Sequence, residues 1–224
     1  MANTQSLDLE SSSSQYASRA ANALFDFGTG PFTLECWFKR ESTTFGGFLV
    51  KSTTDSAGYV LRNDNGTVVF RCGNGTNQDS TDAYTLNDTS WHHFAGVRDG
   101  SKLHLYVDTV EVGTAATDNA RNTDTAGNVV IGPYRSEDLA INFSDGLIDE
   151  VRIWSDARTP TEIASNWKKD VTGQTGLVAY WKLNGAWTDE SGNSLTLSNS
   201  GSPSFSTTVP FPDYLTDSGF FAFL

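Results

Sequence analysis

Phe32-Thr33-Leu34-Glu35-Cys36-Trp37-Phe38 alternates strictly, with apolar Phe32, Leu34, Cys36 and Phe38 at every second position. Successive side chains of an extended chain point to opposite faces, so this stretch reads as a strand with one buried face. The same period recurs downstream. Tyr59-Val60-Leu61-Arg62, then Asp64-Asn65-Gly66, then Thr67-Val68-Val69-Phe70 predicts a hairpin, because Asn-Gly supplies the positive-φ residues of a tight turn. A second hairpin sets Trp91, His93, Ala95 and Val97 on one face, turns at Arg98-Asp99-Gly100-Ser101, and returns Leu103, Leu105 and Val107 along that same face. Short runs follow at Val129 to Ile131, Gly146 to Trp154, and Leu177 to Leu183, where Leu177, Ala179, Trp181 and Leu183 alternate. One helical pattern interrupts them. Thr159 can cap a helix with Glu162 three residues on, and Pro160 suits the first helical position, which predicts about two or three turns. Many short strands with one connecting helix predict an all-β, antiparallel sandwich.

Composition narrows the partners. The 224 residues carry 15 Lys and Arg against 27 Asp and Glu, a formal charge of -12. Such a surface repels phosphate backbones and anionic headgroups, which excludes nucleic acid as a main partner. A chain of this length buries ~70% of its extended surface and reaches a sizeable core without disulfides or a structural metal. No run approaches the ~20 apolar residues of a membrane span. The opening MANTQSLDLESSSSQ lacks the basic and apolar regions of a secretory signal. The expected location is therefore cytoplasmic, or extracellular or virion-associated after release by lysis. Cys36 and Cys72 read as small core residues, since their spacing fits no zinc pattern. Residues 1–208 read as one domain, and 209–224 as a proline-rich linker, Val209-Pro210-Phe211-Pro212, with an apolar tail.

Four segments in order also carry a family resemblance. Phe32 to Lys39, Trp91-His92-His93-Phe94-Ala95, Leu103 to Asp108, and Gly146-Leu147-Ile148-Asp149-Glu150-Val151-Arg152-Ile153-Trp154 resemble the laminin-G-like branch of the concanavalin A-like lectin and glucanase superfamily. Leu177 to Leu183 with Asp189-Glu190-Ser191-Gly192-Asn193 resembles a stretch common in such proteins. The resemblance implies a jelly-roll of two antiparallel sheets, often with calcium at one edge, and glycan or protein binding. Two features depart from it. The usual Asp-Gly after Tyr-Val is here Asp108-Thr109, so a different turn or a longer loop is expected. The Asp-Ser-Gly-Asn stretch follows the domain instead of preceding it.

Several constellations could carry chemistry. Nineteen of the 27 acids are Asp, a short hard-oxygen ligand, though Asp also makes turns. The expected calcium ligands are Asp149 and Glu150 in the matching segment, and Asp189 with Asn193 on a turn. Asp149 has an alternative. By alternation it shares the face of Val151 and Ile153, where backbone N–H groups or a neighbour such as Trp91 or His93 would satisfy its carboxylate. His92 and His93 are adjacent on a strand and cannot chelate together. Retaining glycosidases need two carboxyl groups ~5 Å apart on one face, and adjacent Asp149 and Glu150 are expected to face opposite ways. No nucleophile elbow, phosphate loop or dinucleotide fingerprint is present, so no enzyme is expected. Sugar binding would stack a pyranose on an exposed aromatic beside hydrogen-bonding groups, for which the loops offer Asp82 with Tyr84, Tyr134 with Arg135, and Trp187 with Asp189; core packing is the competing role of each ring. Phe220, Phe221, Phe223 and Leu224 form an adhesive terminus that either packs on its own sandwich or docks on another subunit.

The leading expectation is a non-catalytic, calcium-assisted module binding carbohydrate or a protein surface. The alternative is a structural component of a larger assembly, a homo-oligomer or the decoration or fibre protein of a phage virion. A glycoside hydrolase comes third. Asn-x-Ser/Thr sites at Asn65, Asn74, Asn87 and Asn142 would bear on secretion in a eukaryotic host alone.

Overall fold

The structure, a computed structural model, describes residues 2–136 and 142–216. The expected contact residues Phe220, Phe221, Phe223 and Leu224 lie outside them. In chain order the strands begin β1 (Ser6–Leu9), β2 (Tyr16–Arg19), β3 (Phe32–Arg40), β4 (Gly46–Lys51), β5 (Ala57–Asp64), β6 (Thr67–Asn74), β7 (Gln78–Ser80) and β8 (Tyr84–Thr85). They continue with β9 (Trp91–Arg98), β10 (Lys102–Val107), β11 (Val110–Glu111), β12 (Ala116–Thr117), β13 (Val129–Gly132) and β14 (Gly146–Trp154). Helix α1 (Pro160–Asn166) precedes β15 (Leu177–Trp181), β16 (Ser198–Ser200) and β17 (Ser204–Ser206).

Two antiparallel sheets form the expected jelly-roll sandwich. One runs β11-β10-β9-β3-β14-β1-β17, with β12 on β10 and β15 on β14; the other runs β16-β2-β13-β4-β5-β6-β7, with β8 on β6. Phe32, Leu34, Cys36 and Phe38 all enter the core between the sheets, as their alternation requires. Both cysteines are free and buried. Asn65 and Gly66 close the β5–β6 hairpin with φ of 54° and 92°, and Asp64 pairs directly with Thr67. At α1, the Thr159 hydroxyl accepts from the Glu162 N–H while the Glu162 carboxylate accepts from the Thr159 N–H. This is the reciprocal cap that the sequence predicts.

Three expectations are corrected. The β9–β10 register pairs Leu105 with Gly96 and Val107 with Phe94, so the leucines share their face with Phe94 and Gly96, not with Trp91, His93, Ala95 and Val97. The latter set faces outward, where Ala95, Val97 and Tyr106 pack on Ile163 of α1. Secondly, Asp108-Thr109 needs no longer loop. Val107 pairs with Val110 across a two-residue turn, and both turn residues are left-handed, at φ 48° and 73°. Thirdly, the proline-rich run lies on the sandwich: Phe211 and Tyr214 bury against Trp37, and Pro212 O accepts from the Asn3 N–H at 3.0 Å. The nine-stranded sheet is thus buried on both faces along much of its length, inside by the other sheet and outside by α1 and residues 209–216.

Candidate functional site

The predicted acids Asp149 and Glu150 sit at a bulge in β14. Asp149 pairs with Trp37 and Arg152 with Glu35, leaving one extra residue on β14, and Glu150 takes φ 53°. Side-chain parity shifts there, as a bulge demands. Ile148 and Val151 both face the core, while Asp149 joins Trp37, Glu35 and Arg152 on the outer face. Strict alternation had set Asp149 beside Val151 and Ile153 and opposite Glu150; the bulge overturns both statements.

On that outer face every carboxylate meets donors. Asp149 accepts from Asn3 Nδ2 at 2.7 Å and from the Glu150 N–H at 3.0 Å, so Asn3 takes the place foreseen for Trp91 or His93. Glu150 accepts from Arg152 Nη2 at 2.8 Å, Tyr180 OH at 2.5 Å and Tyr214 OH at 2.6 Å. Burial, with the Glu150 charge beside it, pushes the Asp149 carboxyl well above the usual carboxylate range. Burial would also raise Glu35, but the His93 ring at 3.5 Å and Arg152 at 3.3 Å hold it below its ordinary value. With donors already aimed at these oxygens, the arrangement suits a structural polar cluster.

Asp189 has a similar place. Its carboxylate accepts from the N–H groups of Tyr180, Ser191 and Leu195 and from the Ser191 hydroxyl, at 2.8 to 3.0 Å. Asn193 Nδ2 donates to Val178 O at 2.9 Å. The turn therefore staples the chain after β15 back onto that strand.

The five residues expected at a sugar site are spread over three stretches of chain. Asp82 is exposed and accepts from the Thr114 N–H at 3.0 Å, and Tyr84 lies edge-on to Phe94 and His92. The Tyr134 ring carries the Arg62 guanidinium 3.7 Å from its centroid, and Arg135 stands 3.5 Å from Asp55. Trp187 packs on Phe205 at 4.9 Å. Of these, Tyr134 reaches an open pocket's wall, edge-on to Phe45 at 5.9 Å.

That pocket lies at the sandwich rim and holds about 460 Å³. Ser11, Ser14, Thr44, Asn65 and Asn142 line it, with Phe45 and Phe143. Phe45 is 39% exposed, while Phe143 is held by stacking on Tyr16. The Asn65-Gly66 turn places Asn65 here, so a local fold signal also shapes the site.

Acids gather next to it. Gly146 pairs with Leu9 on one side and Arg40 on the other, which brings the ends of β1 and β3 together. Carboxylate oxygens of Asp8, Glu10 and Glu41 consequently lie within 4.8 Å of one another. Asp145 links them to the pocket, accepting from Ser11 Oγ at 2.7 Å. Burial, then the charges of Asp8 and Glu10, raise the Glu41 carboxyl above its ordinary value, and Asp8 Oδ1 has no hydrogen-bond donor. Three hard carboxylates with an unsatisfied oxygen fit a divalent cation such as calcium. Reasoning on the sequence missed this set, because strand pairing alone unites residues 8, 10 and 41.

The fold is thus a two-sheet antiparallel jelly-roll with a polar, aromatic-walled pocket at its rim. The chain belongs to the concanavalin A-like lectin/glucanases superfamily, whose laminin G family matches residues 11–164. Solved structures share the fold. A "putative carbohydrate binding protein" of Bacteroides ovatus superposes with a TM-score of 0.74 at 18% identity, over 95% of this chain and 62% of its own. Mouse laminin alpha1 chain domains LG4-5 give 0.53 at 18% identity, over 69% and 44%. The binding domain of Paraclostridial Mosquitocidal Protein 1 gives 0.50 at 12%, over 68% and 40%. This chain thus spans less than two thirds of the length of each. No curated protein matches the sequence.

Proposed function

We propose that this domain is a non-catalytic recognition module that binds carbohydrate in the rim pocket, with calcium on Asp8, Glu10 and Glu41 bracing the pocket's edge. The observation that carries the reading is the part-exposed Phe45 ring set in a pocket lined by Ser11, Ser14, Thr44, Asn65 and Asn142. A pyranose presents an apolar face and a girdle of hydroxyls, and this lining offers both complements. The similar Bacteroides ovatus protein, itself described as a "putative carbohydrate binding protein", supports the same class. Calcium would neutralise the crowded acids and, through Asp145 and Ser11, steady the pocket wall. Hydrolysis finds no support at β14: Asp149 and Glu150 are buried, and the oxygens of both are engaged by donors within the fold.

The test is binding of the purified chain to a broad glycan array in millimolar calcium, repeated with chelator and with Phe45→Ala. Binding to one glycan class that falls in chelator and in the variant supports both parts. Binding indifferent to chelator removes calcium from the reading, and silence on the whole array removes carbohydrate.

A further inference from the structure

A second pocket opens on the outer face of the nine-stranded sheet and shares no lining residue with the rim pocket. Trp37, Trp91, Asp108, Trp167, Lys168 and Pro210 enclose about 330 Å³. Half of the chain's six tryptophans meet at this one opening. Trp37 is its buried base. Trp167 stacks on Trp37 at 5.2 Å and 21°, and the Trp37 indole N–H donates to Trp167 O at 3.0 Å, which fixes the pair. Trp91 and Trp167 each keep part of their surface in solvent.

Ionised groups frame these rings. Lys168 Nζ stands 4.2 Å from the Trp167 ring centroid, within cation–π range. Asp108 is oriented from behind, with Oδ2 2.7 Å from His92 Nδ1 and Oδ1 accepting the His93 N–H at 2.9 Å. Each carboxylate oxygen retains a second lone pair for a ligand. The part-exposed Trp91 indole for axial C–H groups, an acceptor and a donor are the complement of a sugar ring. An anionic sugar would meet Asp108 and a chain of net charge -12, so the fit is to a neutral one.

We propose that this pocket is a second carbohydrate subsite, taking one hexopyranose unit of a neutral glycan against Trp91, beside the Trp37–Trp167 stack, with hydroxyls bonded to Asp108 and Lys168. The inference rests on the carbohydrate reading above for its ligand class, but on different residues. A glycan long enough to span both subsites would bind bivalently, which multiplies retention without any new contact.

Indole and backbone amide NMR of the full ¹⁵N-labelled chain separates the two sites. The probes are the hexaoses of glucose, mannose, galactose and N-acetylglucosamine at millimolar concentration, with Trp91→Phe assigning one indole signal. The expected result is a titrating shift of the Trp91 and Trp167 indoles that persists in Phe45→Ala and in chelator. Trp91→Ala weakens the Trp167 titration by about tenfold or more, the scale of losing an aromatic anchor. Moving indoles with still Thr44 and Phe45 amides support this subsite and overturn the rim assignment alone. Moving amides with still indoles overturn this subsite alone, as does an indole shift that vanishes in Phe45→Ala. Stillness at both overturns both.

Discussion

The Tyr214 hydroxyl donates to Glu150 Oε1 at 2.6 Å, across 64 positions of sequence. It anchors residues 209–216 to the centre of the nine-stranded sheet, where Phe211 and Tyr214 cover Trp37. Main-chain bonds hold the segment on both sides, from the Asn3 N–H to Pro212 O and from the Leu215 N–H to Lys168 O. The acceptor is a buried carboxylate, so this bond matters more than a surface one.

Tyr214→Phe keeps the ring and removes that donor. A hydrogen bond to a buried charge contributes about 1.5–3 kcal/mol, so urea unfolding should show a loss in that range. At ~2–4 °C per kcal/mol for a domain of this size, the melting temperature falls accordingly. A change within experimental error would mean that this hydrogen bond contributes nothing net to the fold.

Thr109 holds φ 73° in the two-residue turn between β10 and β11. A β-branched residue crowds its own backbone there, whereas glycine adopts the angle freely. Thr109→Gly should stabilise the domain by about 1 kcal/mol, the relieved strain exceeding glycine's added chain entropy. Destabilisation on thermal melting would show that the Thr109 side chain makes a compensating contact.

Local signals carried much of the architecture. The Phe32–Phe38 alternation, the Asn65-Gly66 turn and the Thr159–Glu162 cap each act within a few residues, and each is realised. Parity in β9 was not readable, because Trp91, Ala95 and Val97 face a covering of helix and C-terminal chain that makes the outside as apolar as the inside. Gly96 deepens the ambiguity: a Cβ there would lie 2.5 Å from the Phe70 ring, so the inner face carries no side chain at that point. The rim acids were hidden differently. Nothing in sequence joins Asp8 to Glu41 until Gly146 pairs with strands on both its sides. Tyr134 looked like a stacking platform, yet Arg62, distant in sequence, already occupies its face.

Stability should depend on pH through His92. Its hydrogen bond to Asp108, aided by Asp88, raises the imidazole above its ordinary value of 6.5 despite burial. A raised folded value means that the contribution is full below about pH 6.5 and is lost as pH rises through the folded value. Burial would raise Asp108, but His92 and the His93 N–H bring it below 3.8, so its contribution is present above that pH and lost on further acidification. Melting temperature against pH should therefore decline through the neutral range in the wild type and more weakly in His92→Gln. Parallel curves would assign the decline to other groups.

Glu41 gives calcium a test with an internal sign. Burial and the charges of Asp8 and Glu10 raise its carboxyl above 4.5, so without a cation its contribution is present below that pH and lost as pH rises through the folded value. In chelator, Glu41→Gln should therefore melt higher than the wild type at neutral pH, and Asp8→Asn should do the same by removing a repelling neighbour. Calcium reverses the order. A cation at 100 times its dissociation constant stabilises the folded state by about 2.7 kcal/mol, a gain open to the wild type and closed to both variants. Differential scanning calorimetry at neutral pH with calcium and with chelator measures all six conditions. Crossing of the wild-type and variant melting temperatures between the two buffers places the ion on these acids, whereas variants that melt higher in both buffers show repulsion there without a cation to relieve it.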